Sequence, residues 1–562
     1  MKVVIVGGVA GGASAAARLR RLDEKADIVI IERTGYISYA NCGLPYYVGG
    51  VITDKEDLTV QTPEGFRSRF NVDVRVRQEV VSADTDAKKV RVVRLEDGSE
   101  YDEPYDRLIL SPGAKAIRPD LSGVDSHRIF TVRTVEDVLA IGNAIHDLSP
   151  KTAVVAGGGF IGLETAENLV ERGIKVTIVQ RPDQILATLD RDMACTLHSL
   201  FRKKGVTLEL KASVTGFTTD SNIKTHLKDG RTLESDMVIL AIGITPDTGF
   251  LKGSGIELGM KDSIVVNSHM ETSVPGVYAV GDAVTVRNYV TGEDALIALA
   301  GPANKQGRIA ADNICGIKST SKGSQGTSVI KLFDMTAAST GINERSAQRS
   351  GIPYGKVYTY SASHATYYPG SRNMSVKVLY DPETGRILGA QIVGREGVDK
   401  RIDVIATAIH AEMTASDLSE LDLAYAPPYS SAKDPVNMAG YVIENVRSGL
   451  LEQYYWNDVD SLPRDGSVTL IDVRDPDEYA EGHICGFVNI PLDDIRGRLS
   501  EIPADRPAFL CCHSGLRSYI ACRILMQNGI KCKNLAGGYR FYRTVVDDAP
   551  DDQSCLPCGK KK

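Results

Sequence analysis

Residues 2–22 read KVVIVGGVAGGASAAARLRRL, and residues 152–174 read TAVVAGGGFIGLETAENLVERGI. Each is an apolar run, a glycine cluster and a stretch rich in helix formers. That order predicts a buried strand (2–6 and 152–156), a tight turn and a helix. A second apolar strand follows in both places, 27–31 (DIVII) and 175–179 (KVTIV). The chain therefore carries an internally duplicated dinucleotide-binding unit, and the expected fold class is α/β with two Rossmann-like domains. Such a turn aims backbone N–H groups at a pyrophosphate, at the positive end of a helix. The candidate phosphate contacts are Gly7, Gly8, Gly11 and Gly12 in the first unit, and Gly157, Gly159 and Gly162 in the second. Val9 stands where the fingerprint has its middle glycine. Glu32, followed by Arg33, closes the second strand of the first unit, where a carboxylate takes ribose hydroxyls. Gln180, followed by Arg181, closes the equivalent strand of the second. A neutral amide beside a cation does not repel a 2′-phosphate, so NADPH is expected to be accepted as well as NADH. Further apolar strands end in Gly113, Gly243 and the pair Gly281-Asp282.

The rest of the composition narrows the function classes. The chain has 562 residues, with 65 basic and 72 acidic side chains and a formal charge of −7. That balance gives no electrostatic case for nucleic acid. Hydrophobic residues are 43% and charged residues 24%, ordinary for a soluble globular protein. No apolar run approaches the ~20 residues that span a bilayer, and the N-terminus reads as a strand rather than a signal peptide. A cytoplasmic protein without membrane contact is expected. Ten cysteines are too few for a disulfide scaffold of this length. Cys555 and Cys558 form a CxxC without a second ligand pair, so no metal site is expected.

From about residue 325 the pattern becomes strands (376–381, 387–394) and one helix near 398–413, an α+β section. Residues 447–467 are mostly polar and read as a linker. The expected domains are 1–115 with 245–325, 116–244, 326–446, a linker at 447–467, 468–545, and a tail at 546–562.

The two glycine motifs with Glu32 and Gly281-Asp282 resemble the pyridine nucleotide–disulfide oxidoreductases. The resemblance implies FAD in the first unit, with Asp282 at its ribityl–phosphate region, and NAD(P)H in the second. Cys42 lies in YISYANCGLPYYVGG (36–50). Disulfide reductases have two cysteines here, separated by four residues, but Tyr47 takes the second position. Without a resolving thiol, Cys42 must pair with a small thiol or be oxidised alone. SYANCGLPYYVGG and LAYAPPYSSAKDPVN (423–437) resemble the coenzyme A–disulfide reductase branch. By that resemblance Cys42 carries a mixed disulfide with coenzyme A. Ser14, Arg18, Arg21, Ser38, Asn41, Asn304 and Lys433 match the branch's coenzyme A positions. Tyr367 and Tyr425 would approach Cys42 from the partner of a homodimer formed through 326–446.

Residues 468–474 (VTLIDVR) lead toward a loop, Cys512-His513-Ser514-Gly515-Leu516-Arg517, set between a strand and a helix. Its N–H groups point inward, and such a nest stabilises a thiolate. With NLAGGY (534–539), the segment resembles a rhodanese domain, in which Cys512 would hold a persulfide beside Arg517. Phosphatase relatives have a loop one residue longer before the arginine. Cys511, Cys485, Cys522, Cys532, Cys195 and Cys315 are expected in the core. The function expected is an FAD-dependent NAD(P)H persulfide or polysulfide reductase. It would act on coenzyme A persulfide and release hydrogen sulfide. Alternatives are a coenzyme A–disulfide reductase and a single-cysteine NAD(P)H oxidase.

Overall fold

The computed structural model describes residues 1–548. The chain separates into two compact units: Met1–Asp183 with Lys204–Gly326, and Gln184–Lys203 with the described residues from Thr327 onward.

The first unit holds two parallel sheets. One runs Val277–Ala279, Arg107–Leu110, Lys2–Val6, Asp27–Ile31, Asp73–Arg75. The other runs Thr207–Leu210, Lys175–Gln180, Thr152–Ala156, Met237–Leu240, Ile129–Thr131. Their central strands are unbroken Val, Ile and Ala runs because both faces are covered, as parallel sheets require. Helix Ala10–Leu22 lays Ala13, Ala15, Ala16 and Leu19 on the first sheet. Helix Phe160–Glu171 follows the second glycine turn in the same way. Two antiparallel three-stranded sheets are inserted, spanning Gln78–Pro104 and Val214–Ser235. The sequence reading passed over both.

The second unit holds a five-stranded antiparallel sheet, ordered Ser328–Leu332, Met335–Gly341, Ile387–Gly394, Asn373–Tyr380, Gly355–Ala362. The helix expected near 398–413 is Val398–His410, and a second, Pro435–Arg447, starts inside the 423–437 motif. Asp434 caps it, with Pro435 at its first turn. A parallel sheet follows, ordered Gln453–Tyr454, Cys532–Leu535, Ala508–Cys511, Thr469–Asp472, Val488–Asn489. Its edge strand lies within the segment read as a linker, so 447–467 is part of this fold. Tyr454 is buried there and its hydroxyl donates to Leu510 O at 3.1 Å. The last helix, Gly538–Asp547, likewise extends into the segment read as a tail.

Lys377 is fully buried in the antiparallel sheet. Its ammonium lies 2.8 Å from Asp190 Oδ2 and 2.9 Å from Asp192 Oδ2, and also contacts Glu344. It fills the space among three carboxylates that could otherwise hold a cation. Removing one partner of such a cluster leaves buried charge uncompensated. Lys377→Met is expected to cost about 3–5 kcal/mol, read as a lower denaturation midpoint.

Candidate active site

Both nucleotide folds show the same local construction. Glu32 Oε2 accepts from Gly8 N–H at 2.9 Å and its Oε1 accepts from Thr34 N–H at 2.9 Å. Gln180 Oε1 accepts from Gly158 N–H at 3.0 Å. A Cβ on Gly12 would lie 1.9 Å from Gly7 O, and one on Gly162 2.0 Å from Gly157 O. Only glycine lets each helix seat this closely on its turn. Space beyond Gly159 is open for 4 Å. Gly113 and Gly243 end their strands at φ of +68° and +129°. Asp282 Oδ2 accepts from Arg133 at 2.8 Å, and Gly281 N–H donates to Gln306 at 2.8 Å. Arg33 pairs with Asp247 at 2.9 Å and Glu79 at 3.3 Å, while Arg181 is exposed. Burial pushes the Glu32 carboxyl up, opposed by the N–H groups of Gly8 and Thr34. The donor set at Gly7–Gly12 fits FAD, and the open turn at Gly157–Gly162 fits an exchangeable nicotinamide dinucleotide.

Cys42 sits in the short 3₁₀ turn Asn41–Gly43, ahead of helix Leu44–Gly49, and is exposed. Partial burial of its sulfur pushes the thiol up; the carboxylates of Glu164 and Asp282 add to this and Arg133 opposes it. Glu164 is on the helix of the second nucleotide fold, and Tyr46 OH donates to its Oε1 at 3.4 Å. Burial pushes Glu164 up to about 7, with Glu167 adding and the Tyr46 hydrogen bond opposing. Below pH 7 Glu164 becomes neutral and stops opposing the Cys42 thiolate. With Glu164→Gln, the rate of Cys42 alkylation in reduced enzyme is expected to lose its pH-dependent step near 7, leaving the thiol's own titration. Glu164, two residues past the last glycine of the second motif, carries no signal of its own in the sequence.

Ser14, Arg18, Arg21, Ser38 and Asn304 line one groove of about 350 Å³ in the first unit. Gln61, Phe66, Phe70 and Arg308 also line it and were not foreseen. Arg308 follows Asn304 by one helical turn, a spacing that could have revealed it. Ser14 Oγ donates to Asn304 Oδ1, and Arg18 Nε donates to Asp312 Oδ1 at 2.6 Å. Asn41 does not line the groove, but its Oδ1 is buried without a hydrogen-bond donor. Lys433 is exposed and belongs to the other unit.

In the second unit Tyr367 and Tyr425 meet hydroxyl to hydroxyl at 2.8 Å, though 58 positions apart in sequence. They are 73% and 46% exposed, unusual for paired aromatics. Cys512 is buried, and its sulfur accepts from Gly515 N–H and from Ser518 Oγ, both at 3.1 Å. The turn is held by Tyr539 N–H on Cys512 O at 2.7 Å. Gly538 is required there, since a Cβ would come within 2.6 Å of Cys512 O. Arg517 is tied to Glu478 at 2.9 Å. Ser518 and Glu478 were missed, because their roles depend on where the loop folds. A cleft of about 650 Å³ beside the loop is lined by Glu478, His513, Tyr539 and Arg540 among others.

Cys511, Cys522, Cys532 and Cys195 are buried and Cys315 is half-buried. Cys485 is exposed, against the core expectation, because it precedes the turn at Gly486 outside the sheet. Cys195, His198 and Asp548 converge, but hydrogen bonds account for them. Cys195 contacts Asp548 at 3.2 Å, and His198 Nε2 accepts from Ile185 N–H at 3.1 Å. Cys555 and Cys558 lie outside the described residues.

Two nucleotide folds sharing a lone thiol, with an anion-nesting thiol loop downstream, define a pyridine-nucleotide-dependent flavoprotein oxidoreductase fused to a sulfur-handling domain. The pyridine nucleotide-disulphide oxidoreductase profile matches residues 1–307, its dimerisation domain 327–435, and the rhodanese-like domain 456–543. The chain belongs to the pyridine nucleotide-disulphide oxidoreductase family. It is 36% identical over 444 residues to a coenzyme A disulfide reductase of Staphylococcus haemolyticus, covering 78% of this chain and 98% of that protein. The crystal structure of reduced Bacillus anthracis CoADR-RHD superposes with a TM-score of 0.95 at 47% identity, covering 97% and 98% of the two chains. A NAD-dependent persulfide reductase from A. fulgidus superposes with a TM-score of 0.90 at 36% identity, covering 96% and 100%. No described helix is long and apolar enough to cross a membrane.

Proposed function

We propose that this chain is an NAD(P)H-dependent persulfide or polysulfide reductase that acts on coenzyme A persulfide and releases hydrogen sulfide. The observation that carries this reading is an unaccompanied thiol, Cys42, in the same unit as a groove built from Ser14, Arg18, Arg21, Ser38, Asn304 and Arg308. Three arginines with hydroxyl and amide groups suit a phosphorylated thiol carrier. The relatives named for coenzyme A disulfide and persulfide chemistry support the same substrate class.

When bound, FAD supplies a two-electron relay between NAD(P)H and the protein thiol. The Cys42 thiolate attacks the coenzyme A sulfur of the persulfide. The S–S bond breaks, hydrosulfide leaves and takes a proton, and Cys42 is left in a mixed disulfide with coenzyme A. Two electrons from NAD(P)H then cleave that disulfide, returning the Cys42 thiolate and coenzyme A thiol. Tyr367 and Tyr425 serve the partner's site as the hydroxyl pair that protonates the leaving thiolate. Their exposure on a matched dimerisation domain supports a homodimer. Cys512 carries sulfane sulfur, with Arg517 and Glu478 shaping the mouth of its loop.

A steady-state assay tests the reading. NAD(P)H oxidation is expected with coenzyme A persulfide and with polysulfide, accompanied by sulfide release. A kcat/KM higher on coenzyme A disulfide than on the persulfide would instead favour a coenzyme A–disulfide reductase. Oxygen consumption with no thiol acceptor would favour an NAD(P)H oxidase.

A further inference from the structure

We propose that the second nucleotide fold selects a dinucleotide bearing a 2′-phosphate, with Arg181 and Lys211 as its anion contacts. This rests on the reading that the fold around 152–180 binds NAD(P)H, and it names which form.

The duplication supplies an internal comparison. In the first fold Glu32 closes the second strand and holds Gly8 N–H. A carboxylate there accepts ribose hydroxyls and repels a phosphate on the same ribose. In the second fold Gln180 takes the same place and makes the same bond, to Gly158 N–H. The geometry is kept and the charge is removed. Arg181 follows, exposed at the strand's carboxyl end.

The neighbouring strand, Thr207–Leu210, delivers a second cation to the same corner. Lys211 follows it at a left-handed φ of +55°, and its N–H donates to Pro182 O at 2.9 Å. Ala212 N–H donates to Gln180 O at 3.1 Å. Lys211 is thereby pinned beside the Gln180–Pro182 segment, with its side chain exposed. Neither Arg181 nor Lys211 is ion-paired among the described residues. The carboxylates on these two segments are Asp183 and Glu209. Both are engaged, Glu209 with Arg231 at 2.8 Å. A 2′-phosphate thus meets two uncommitted cations, whereas an unmodified ribose meets no fixed carboxylate. Arginine and lysine both bind phosphate, the former through paired donors.

The test uses the full-length holoenzyme. Steady-state kcat/KM is measured for NADPH and NADH with one sulfur acceptor. Binding of 2′,5′-ADP and of 5′-ADP is measured by calorimetry, a readout independent of turnover. NADPH is expected to be favoured by about tenfold or more, and 2′,5′-ADP to bind correspondingly tighter. Arg181→Ala is expected to lower the NADPH-to-NADH efficiency ratio about 10–100-fold, chiefly through KM, with Lys211→Ala lowering it less. Raised salt should erode the preference. Equal binding of the two ADP isomers, or an unchanged ratio in Arg181→Ala, overturns the proposal alone. Failure of either dinucleotide to be oxidised, with neither ADP isomer binding, overturns the reading beneath it as well.

Discussion

Replacing Cys42 by Ser is expected to abolish NAD(P)H-driven sulfur reduction, lowering kcat by about 10³-fold or more. The size of the loss follows from what is missing around the residue. Tyr47 holds the position where a resolving thiol would stand, and Cys42 sits in a three-residue turn, Asn41–Gly43, of its own. Among the described residues, no second sulfur shares that turn to inherit the chemistry. A serine hydroxyl is not a nucleophile at neutral pH unless a base activates it. The acids facing this position, Glu164 and Asp282, sit with Arg133 and Tyr46 rather than with a histidine. The variant should still lose its flavin colour once when NAD(P)H is added, because that half-reaction uses only the two nucleotide folds. Mass spectrometry should find the coenzyme A adduct on wild-type enzyme and not on Cys42→Ser. Full turnover in Cys42→Ser would remove the thiol from the mechanism.

How much of this was legible differs by element, and the reasons are physical. The strand–glycine–helix units could be read directly because each requirement is local. Gly12 must clear Gly7 O, and Gly162 must clear Gly157 O, whatever the rest of the chain does. The three-stranded sheet at Gln78–Pro104 was not legible. Its strands alternate charged and apolar residues, as in KVRVVR, with one face solvated. The 447–467 segment reads as a linker and the start of a new domain because so many of its residues are polar. Tyr454, Val459 and Leu462 nevertheless carry it into the core of the C-terminal sheet. Of the seven positions marked by resemblance, Ser14, Arg18, Arg21, Ser38 and Asn304 line the groove and Asn41 and Lys433 do not, while Phe66 and Phe70 carried no signal. Their rings lie 4.7 Å apart one turn from each other, a spacing that reads as core. Phe66 does belong to that core while also walling the groove. Glu164 and Glu478 were invisible for a common reason. Each matters through a partner far away in sequence, Tyr46 in one case and Arg517 in the other.

Cys512→Ser is expected to separate the two sulfur chemistries. Sulfur transfer from a sulfane donor should fall by about 10³-fold or more, since the nucleophile itself is gone. NAD(P)H oxidation with coenzyme A persulfide as direct substrate should stay near the wild-type rate, because the proposed function assigns that cleavage to Cys42. The transfer step is balanced without any redox agent. The Cys512 thiolate attacks the terminal sulfur of a persulfide, the donor leaves as a thiol, and Cys512 keeps the sulfane sulfur as a persulfide. The loop is built for the anion this leaves behind, with Gly515 N–H and Ser518 Oγ both 3.1 Å from the sulfur. Ser518→Ala therefore provides a graded control. Losing one hydrogen bond to a charged acceptor costs about 1.5–3 kcal/mol, or roughly 10–150-fold in transfer rate. The loop itself would persist, since Tyr539 N–H still anchors Cys512 O. A polymeric or protein-bound sulfur source distinguishes the modules further, because under the proposed function such sulfur passes through Cys512 before reaching a small carrier. If Cys512→Ser reduces polysulfide and coenzyme A persulfide equally well, the loop does not feed Cys42. If it impairs coenzyme A persulfide as severely as polysulfide, the thiol acts within the reductive step itself, and the division of labour between the two sulfurs is wrong.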